Sequence, residues 1–385
     1  MNAQQAFGKL QFARSRAKIN ASLVFLAAAT LVLPSTAQTA SFQGLGQMPG
    51  AMRGAGTFAT ELSGDGSTIV GYAWVCPSGP PTCTSSGKTE AFRWTAAGKY
   101  QLLGDLGSSV GSVASAANSD GSVVVGNAPK GQSSFGAFRW TAAHGIVALP
   151  ATMLFGNSVT PDGAMVVGGD NWWKTSGKVG KFGPFPGNQD QTQALGVTGT
   201  SQAPVAVGAA LKGSDPNGAT LHAFRWTPVG GLQDLGLTTG SESIAIAISA
   251  DESVIVGEAR DASGFWRAFR WTASSGMEDI GTLGGPESAA YAVSHDGSVI
   301  VGTSLTSSLS DSNDAFIWTA KTGMQSLRVV LQGQGVHTAD AWVQVSRAAG
   351  VSSDGTIITG FGISPRTKAF PFGVWTPFRV VLPVP

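Results

Sequence analysis

Apolar and polar positions alternate in short runs that return along the chain. In Tyr291-Ala292-Val293-Ser294 the alternation has period two and predicts a strand. His295-Asp296-Gly297 follows as a tight hairpin turn, with Gly able to take positive φ and Asp able to cap its own backbone. Ser298-Val299-Ile300-Val301 is β-branched and apolar on both faces, which predicts a strand buried on both. Ala315-Phe316-Ile317-Trp318-Thr319 predicts a third strand. Thr322-Gly323 then turns the chain into a fourth, Met324-Gln325-Ser326-Leu327. No segment after residue 37 shows a sustained helical period.

This unit repeats. Ser63 to Gly71 returns as Asn118 to Gly126, Thr160 to Gly168, Ser249 to Gly257, Ser294 to Gly302 and Ser352 to Gly360. A worn copy lies at Thr200 to Gly208. A second motif, Ala91-Phe92-Arg93-Trp94-Thr95, alternates with the first. Its later copies end in Trp140, Trp226, Trp271, Trp318 and Trp375, and matching Gly177 to Gly98 places Trp173 in the one gap. Each motif then occurs seven times, about 47 residues apart. Four short strands per unit and seven units predict an all-β fold, a seven-bladed β-propeller of four-stranded antiparallel blades. An open β-solenoid is the rival, but its coils are usually shorter. Ring closure has two candidate strands, Phe42 to Gly46 and Phe378 to Leu382. The N-terminal piece is the expected one, because joining both chain ends in one blade hides the edges.

The first 37 residues read differently. Lys9, Arg14, Arg16 and Lys18 precede an apolar run from Ala21 to Leu33, and Pro34 and Ser35-Thr36-Ala37 end it. That is the order of a secretory signal peptide, and the run is shorter than the ~20 residues a membrane span needs. The reading is a signal peptide over 1–37 and one propeller domain over 38–385. It places the protein in the periplasm or outside the cell, with no stable membrane insertion after cleavage and no anchor in the short C-terminal run. Cys76 and Cys83 bracket Pro77 to Thr82, and in an oxidising compartment a disulfide between them is expected.

Composition removes several classes. Lys+Arg is 24 and Asp+Glu is 23, so no net basic face favours nucleic acid. Two cysteines and four scattered histidines give no zinc or His-x-x-x-His motif. No nucleophile elbow, metalloprotease helix or phosphate loop is present, so no catalytic residue, metal or cofactor is assigned. The repeated turn residues Asp65, Asp120, Asp162, Asp251, Asp296 and Asp354 stand one per blade, which suits turn capping better than a shared calcium ion. Arg93, Arg139, Arg225 and Arg270 alternate with Phe and Trp and are expected to meet a turn Asp or an aromatic of the next blade.

One stretch breaks the pattern. At 169–191 the hairpin shortens, Trp172 replaces the usual Arg, and Lys174, Lys178 and Lys181 follow. An aromatic beside a basic run on an irregular blade is where a glycan or acidic partner would dock, so these four residues are the candidate ligand site. The other reading is a decayed repeat with Trp172 filling a gap.

His222-Ala223-Phe224-Arg225-Trp226, alternating in register with the Ser-x-Asp-Gly-Ser-x-Val-Val-Gly motif over residues 42–376, resembles the bacterial HAF-repeat extracellular proteins. The resemblance implies an exported repeat protein and no particular activity. The expectation is a monomeric, non-catalytic module that binds a glycan or a protein. The alternative is a secreted hydrolase or lyase acting on polysaccharide. Asp314, Glu242, Glu287 and Glu258 would then be the acids nearest the interstrand loops.

Overall fold

The computed structural model describes residues 38–52, 54–76, 87–131, 136–186, 191–213, 220–308, 313–368 and 370–383. Seven four-stranded antiparallel sheets form seven blades, each ordered first to fourth strand. Blade 1 is Thr57–Leu62, Thr68–Val75, Lys88–Thr95 and Lys99–Gly104, and blade 6 is Ser288–Val293, Val299–Leu305, Asn313–Thr319 and Gly323–Ser326. The fold is the seven-bladed propeller that the repeats predict. The signal-peptide reading falls on residues 1–37, outside the described residues. Among the described residues no helix is long and apolar enough to cross a membrane.

The repeat motifs explain the blades. Asp296 Oδ1 accepts the N–H of Ser298 at 3.0 Å and the hydroxyl of Ser294 at 2.9 Å. Ser294 Oγ in turn accepts the N–H of Val299 at 3.0 Å. Hydrogen bonds from the backbone and hydroxyl of Ser298 hold this carboxyl below its usual range. Asp65, Asp162, Asp251 and Asp354 repeat the arrangement, so the repeated Asp caps a turn. The turns also bond to one another across blades. Ser353 N–H donates to Gly64 O at 2.7 Å, Asp65 N–H to Ser119 O at 2.9 Å, and His295 N–H to Ser353 O at 2.9 Å.

The glycine that ends each repeat motif stands in the second strand and is fixed by close approach. A Cβ on Gly71 would lie 2.0 Å from the Phe58 carbonyl oxygen and 2.9 Å from the Phe92 ring. The first strand slips register beside it, with Ala59 opposite Gly71 but Glu61 opposite Val70. Phe92, Phe138, Phe224, Phe269, Phe316 and Phe378 are each fully buried and each stand opposite such a glycine. The Phe of the third-strand motif thus fills the space that the missing Cβ leaves.

Trp94, Trp140, Trp173, Trp226, Trp271 and Trp318 share one register position in six blades. Trp173 therefore belongs where the alignment put it. Trp375 does not. In blade 7, Gly360 pairs with Phe378 and Ile358 pairs with Val380, so Val380 holds the tryptophan position. The last copy of the motif is Pro377 to Val381, and its lost tryptophan drew the alignment to a Trp five residues upstream. Phe378 to Val381 accordingly belong to the third strand, Trp375–Val381, and the piece is no candidate fourth. The fourth strand of blade 7 is Ser41–Gly44, paired from Ser41↔Val381 to Gly44↔Phe378. The expected N-terminal closure is the one observed.

A helix at Leu327–Gly333 and a 3₁₀ turn at Thr338–Ala341 depart from the all-strand expectation. Seven residues are too few to display a helical period. Leu327 and Leu331, four apart, are fully buried and pin the helix to the cluster that blades 6 and 7 share.

Candidate functional site

The first strands of all seven blades surround a central cavity of about 730 Å³. That volume lies within the roughly 300–1,000 Å³ usual for small-ligand sites. The register slip described for blade 1 recurs, and each leaves one first-strand residue unpaired. Thr60, Ser115, Leu195, Ile246, Tyr291 and Ala349 are these residues in six blades, and all line the cavity. A β-bulge re-aims the side chain it frees, so the repeat points one variable position per blade at the axis.

Arg347 stands in the first strand of blade 7, Gln344–Val351, and lines the cavity. Its guanidinium carbon lies 3.4 Å from the ring centroid of Tyr291 in blade 6 and 5.9 Å from that of Phe361. Its Nε is buried without a hydrogen-bond partner. No ion pair within 4.0 Å involves Arg347 among the described residues. Two carboxyls stand within electrostatic reach. Burial pushes Glu61 up to about 7, against the pull of the Leu62 N–H at 3.0 Å and of the Arg347 charge. Burial also raises Glu258, opposed by Arg347 and reinforced by the Glu287 charge. Tyr72 and Tyr291 are raised by burial as well, with Arg347 pulling each of them down.

Aromatic rings back this cluster. Phe58 stacks on Tyr72 with centroids 5.3 Å apart and meets Phe361 edge-on at 5.2 Å. Phe361 packs against Trp375 at 5.8 Å. The displaced tryptophan of blade 7 thus belongs to a wall shared by blades 7 and 1, next to Arg347.

The predicted site lies elsewhere, on the third and fourth strands of blade 3, Asn171–Lys174 and Val179–Lys181. Three of its residues do come together. Lys174 Nζ is 5.3 Å and Lys178 Nζ 5.8 Å from the Trp172 ring. Lys174 also donates to Ser201 O, and Lys181 pairs with Asp170 at 2.7 Å. Trp172 itself packs against the apolar cluster of Met165, Phe182, Phe224 and Trp226, and its indole Nε1 is buried unpaired. A Cβ on Gly180 would lie 2.2 Å from its ring, so the indole is closely covered on that side.

The motif arginines do not converge on the axis. The guanidinium carbon of Arg93 lies 5.6 Å from the Trp140 ring of the next blade, as expected. Arg139 donates to the carbonyl of the turn glycine Gly163 at 3.2 Å instead of an Asp. Arg225 pairs with Glu252 at 3.0 Å. Of the candidate acids, Glu242 pairs with Arg260 Nε at 2.6 Å and Asp314 accepts the Ser326 hydroxyl at 2.5 Å. Among the four, Glu258 and Glu287 are electrostatically linked to each other, and Glu258 to Arg347. Among the described residues no group of three or more His, Cys, Asp or Glu could hold a metal ion.

Sequence reasoning missed Arg347, Glu61 and Tyr291. A signal was present. The position of Arg347 holds Phe58, Val113, Gln193, Ile244 or Ala289 in other blades, none of them charged, and that of Glu61 holds Ala116, Ala247 or Ala292. A charge where sister repeats carry uncharged residues marks a position whose charge the fold does not require.

No protein-family model matches the chain, and no curated protein does. Solved structures share its fold. An oligogalacturonate lyase in complex with manganese is 11% identical over 90% of this chain and 97% of its own, with a TM-score of 0.52. The β-propeller domain of the Trilobed protease from Pyrococcus furiosus, described as having an open velcro topology, is 7% identical over 84% and 95%, with a TM-score of 0.51. Virginiamycin B lyase from Staphylococcus aureus is 12% identical over 89% and 99%, with a TM-score of 0.50. At such identities the likeness is one of fold, and function has to be argued from the site.

Proposed function

We propose that the protein is an exported binding module that takes its ligand in the central channel, against the Arg347 wall. One observation carries the reading: Arg347 lines a cavity of ligand size, its Nε is buried without a hydrogen-bond partner, and no ion pair holds it among the described residues. A purely structural arginine is ordinarily paired, because a buried unpaired charge is costly. The signal-peptide order at residues 1–37 and the HAF-type repeats support export. The face at Trp172, Lys174, Lys178 and Lys181 is a subsidiary proposal, since its indole is already covered by its own lysines and blade neighbours. The test is a glycan and peptide array probed with the wild-type protein and with Leu195→Trp, which narrows the channel three blades from Arg347. A ligand whose binding the bulky variant abolishes supports the reading. Binding that only Trp172→Ala or Lys178→Ala removes would move the site to blade 3.

A second reading, a polysaccharide-active hydrolase or lyase, is favoured by Glu61. A carboxyl pushed up to about 7, in a cavity that Tyr291 and Arg347 also line, is poised for proton transfer. Product analysis on any glycan the array returns decides between the two. Cleavage lost in Glu61→Gln with binding kept would make the protein an enzyme.

A further inference from the structure

We infer that the channel's ligand is an acidic saccharide, held through a ring carboxylate on the terminal nitrogens of Arg347. The inference rests on the channel being the binding site. The first argument is what Arg347 lacks. Tyr291 covers the guanidinium face at 3.4 Å, and the Nε is walled in without a partner. What remains of the donor set is the end of the fork, on a side chain that lines the cavity. A planar two-donor edge beneath an aromatic cover suits a planar two-oxygen acceptor, which is a carboxylate.

The second argument is what does not neutralise Arg347. Glu61 and Glu258 sense its charge but lie beyond ion-pairing distance, and Glu61 Oε1 is engaged by the Leu62 N–H. Glu61 also leans on blade 7, where a Cβ on Gly350 would lie 2.9 Å from its Oε1. The acids therefore flank the cation and leave its fork open. A cationic ligand would find the aromatic cover of Tyr291 already occupied by the guanidinium.

The third argument concerns the rest of the wall. Thr60, Ser115, Asn157 and Ser158 line the same cavity, and none is charged. Ser115 Oγ accepts a hydrogen bond from Asn127 Nδ2 and keeps its own proton to donate. Hydroxyls and an amide suit a polyol. Apart from Glu61 and His295 the rest of the lining is uncharged, and a single guanidinium in such a wall suits a sugar with a single carboxylate better than a polyanionic peptide.

The experiment is titration calorimetry on the purified protein at pH 6. The probes are tetragalacturonate, its neutral counterpart tetragalactose, and a tetraglutamate peptide. Three variants accompany the wild type: Arg347→Gln, Arg347→Lys and Leu195→Trp. Saturable binding of tetragalacturonate at least tenfold tighter than tetragalactose is expected. Arg347→Gln should weaken the acidic sugar at least tenfold and leave the neutral one unchanged. Arg347→Lys keeps the charge and loses the fork, so an intermediate loss is expected, and it serves as the folded control if the Gln variant melts early. Equal affinity for the two sugars, or an acidic-sugar affinity that ignores both Arg347 variants, would overturn the inference. So would tighter binding of tetraglutamate. A neutral sugar blocked by Leu195→Trp but indifferent to Arg347 would overturn the acidic ligand and keep the channel as a site. If no probe and no array ligand responds to Leu195→Trp, the channel reading fails with it.

Discussion

Arg225 of blade 4 reaches across the blade boundary to Glu252, with Nη2 3.0 Å from Oε2. Glu252 stands where other copies of the turn carry glycine, and it keeps the left-handed backbone of that position at φ 64°. In blade 2 the equivalent Arg139 bonds to the carbonyl of the turn glycine itself. A side-chain acceptor has thus replaced a backbone one, at the cost of a strained conformation for a residue with a Cβ.

Two substitutions separate these terms. Glu252→Gly relieves about 1 kcal/mol of backbone strain and loses a partly exposed ion pair worth up to about 1 kcal/mol. Its melting temperature should therefore match or slightly exceed that of the wild type. Glu252→Ala keeps the strain and loses the pair, so it should lower stability by about 0.5–1 kcal/mol. Denaturant midpoints of the three proteins check this, and a Glu252→Gly less stable than Glu252→Ala would refute it.

Closure of the ring depends on four residues. Ser41–Gly44 pairs along Val381 to Phe378, and Phe42 packs with Phe378 and Trp342 at 5.3 and 5.2 Å. Phe42→Ala should cost about 3–5 kcal/mol, the usual loss for a buried aromatic. It should also expose the outer edge of the last blade, which is a template for strand pairing. The expected outcome is a lower unfolding midpoint with concentration-dependent association in sedimentation. A monomeric variant of unchanged stability would show that the closure contributes little.

The blades were legible in the sequence because their motifs are backbone requirements. Gly71 answers a carbonyl 2.0 Å from where its Cβ would be, Phe92 fills the space opposite, and Asp65 caps a turn, so these residues recur. Blade 7 was misread at Trp375 because Val380 satisfies the same buried position with a smaller side chain. The candidate site was less legible for a related reason. Tyr291 and Arg347 come from neighbouring blades 56 residues apart, and ring closure brings Glu61 of blade 1, more than two hundred residues away, to the same place. Repetition reports what every blade needs, whereas a ligand site is made of what only one blade has. Trp172 was singled out because it is unlike its equivalents; it packs against Met165, Phe182, Phe224 and Trp226, with Lys174 and Lys178 beside its ring.

The disulfide remains a proposal. Cys76 directly follows the second strand of blade 1, and Cys83 lies outside the described residues. A bridge closing so short a loop should contribute roughly 2–3 kcal/mol, confined to that loop. The expected result is no free thiol in the exported, unreduced protein and a melt that reductant lowers only slightly. Two titratable thiols would exclude the bridge, and collapse of the whole fold on reduction would show that it is not local.

Glu61 makes stability depend on pH in a direction opposite to that of a paired carboxylate. Its ordinary value is 4.5 and the folded protein raises it to about 7. Below pH 4.5 the carboxyl is protonated folded or unfolded, so it imposes no penalty. Between 4.5 and 7 the unfolded chain gives up the proton first, and stability falls as pH rises. Above 7 the loss is complete. The full shift corresponds to about 3 kcal/mol, and contact with channel water reduces this to about 1–3 kcal/mol. Glu61→Gln cannot ionise and escapes the loss. Urea midpoints should therefore coincide for the two proteins at pH 4 and separate by pH 8, with the variant the more stable. A constant difference at every pH would mean that Glu61 acts through packing alone. If the midpoints do separate, a proton sits beside Arg347 near neutral pH. A ligand carboxylate on that guanidinium would hold the proton more firmly and carry it into the complex.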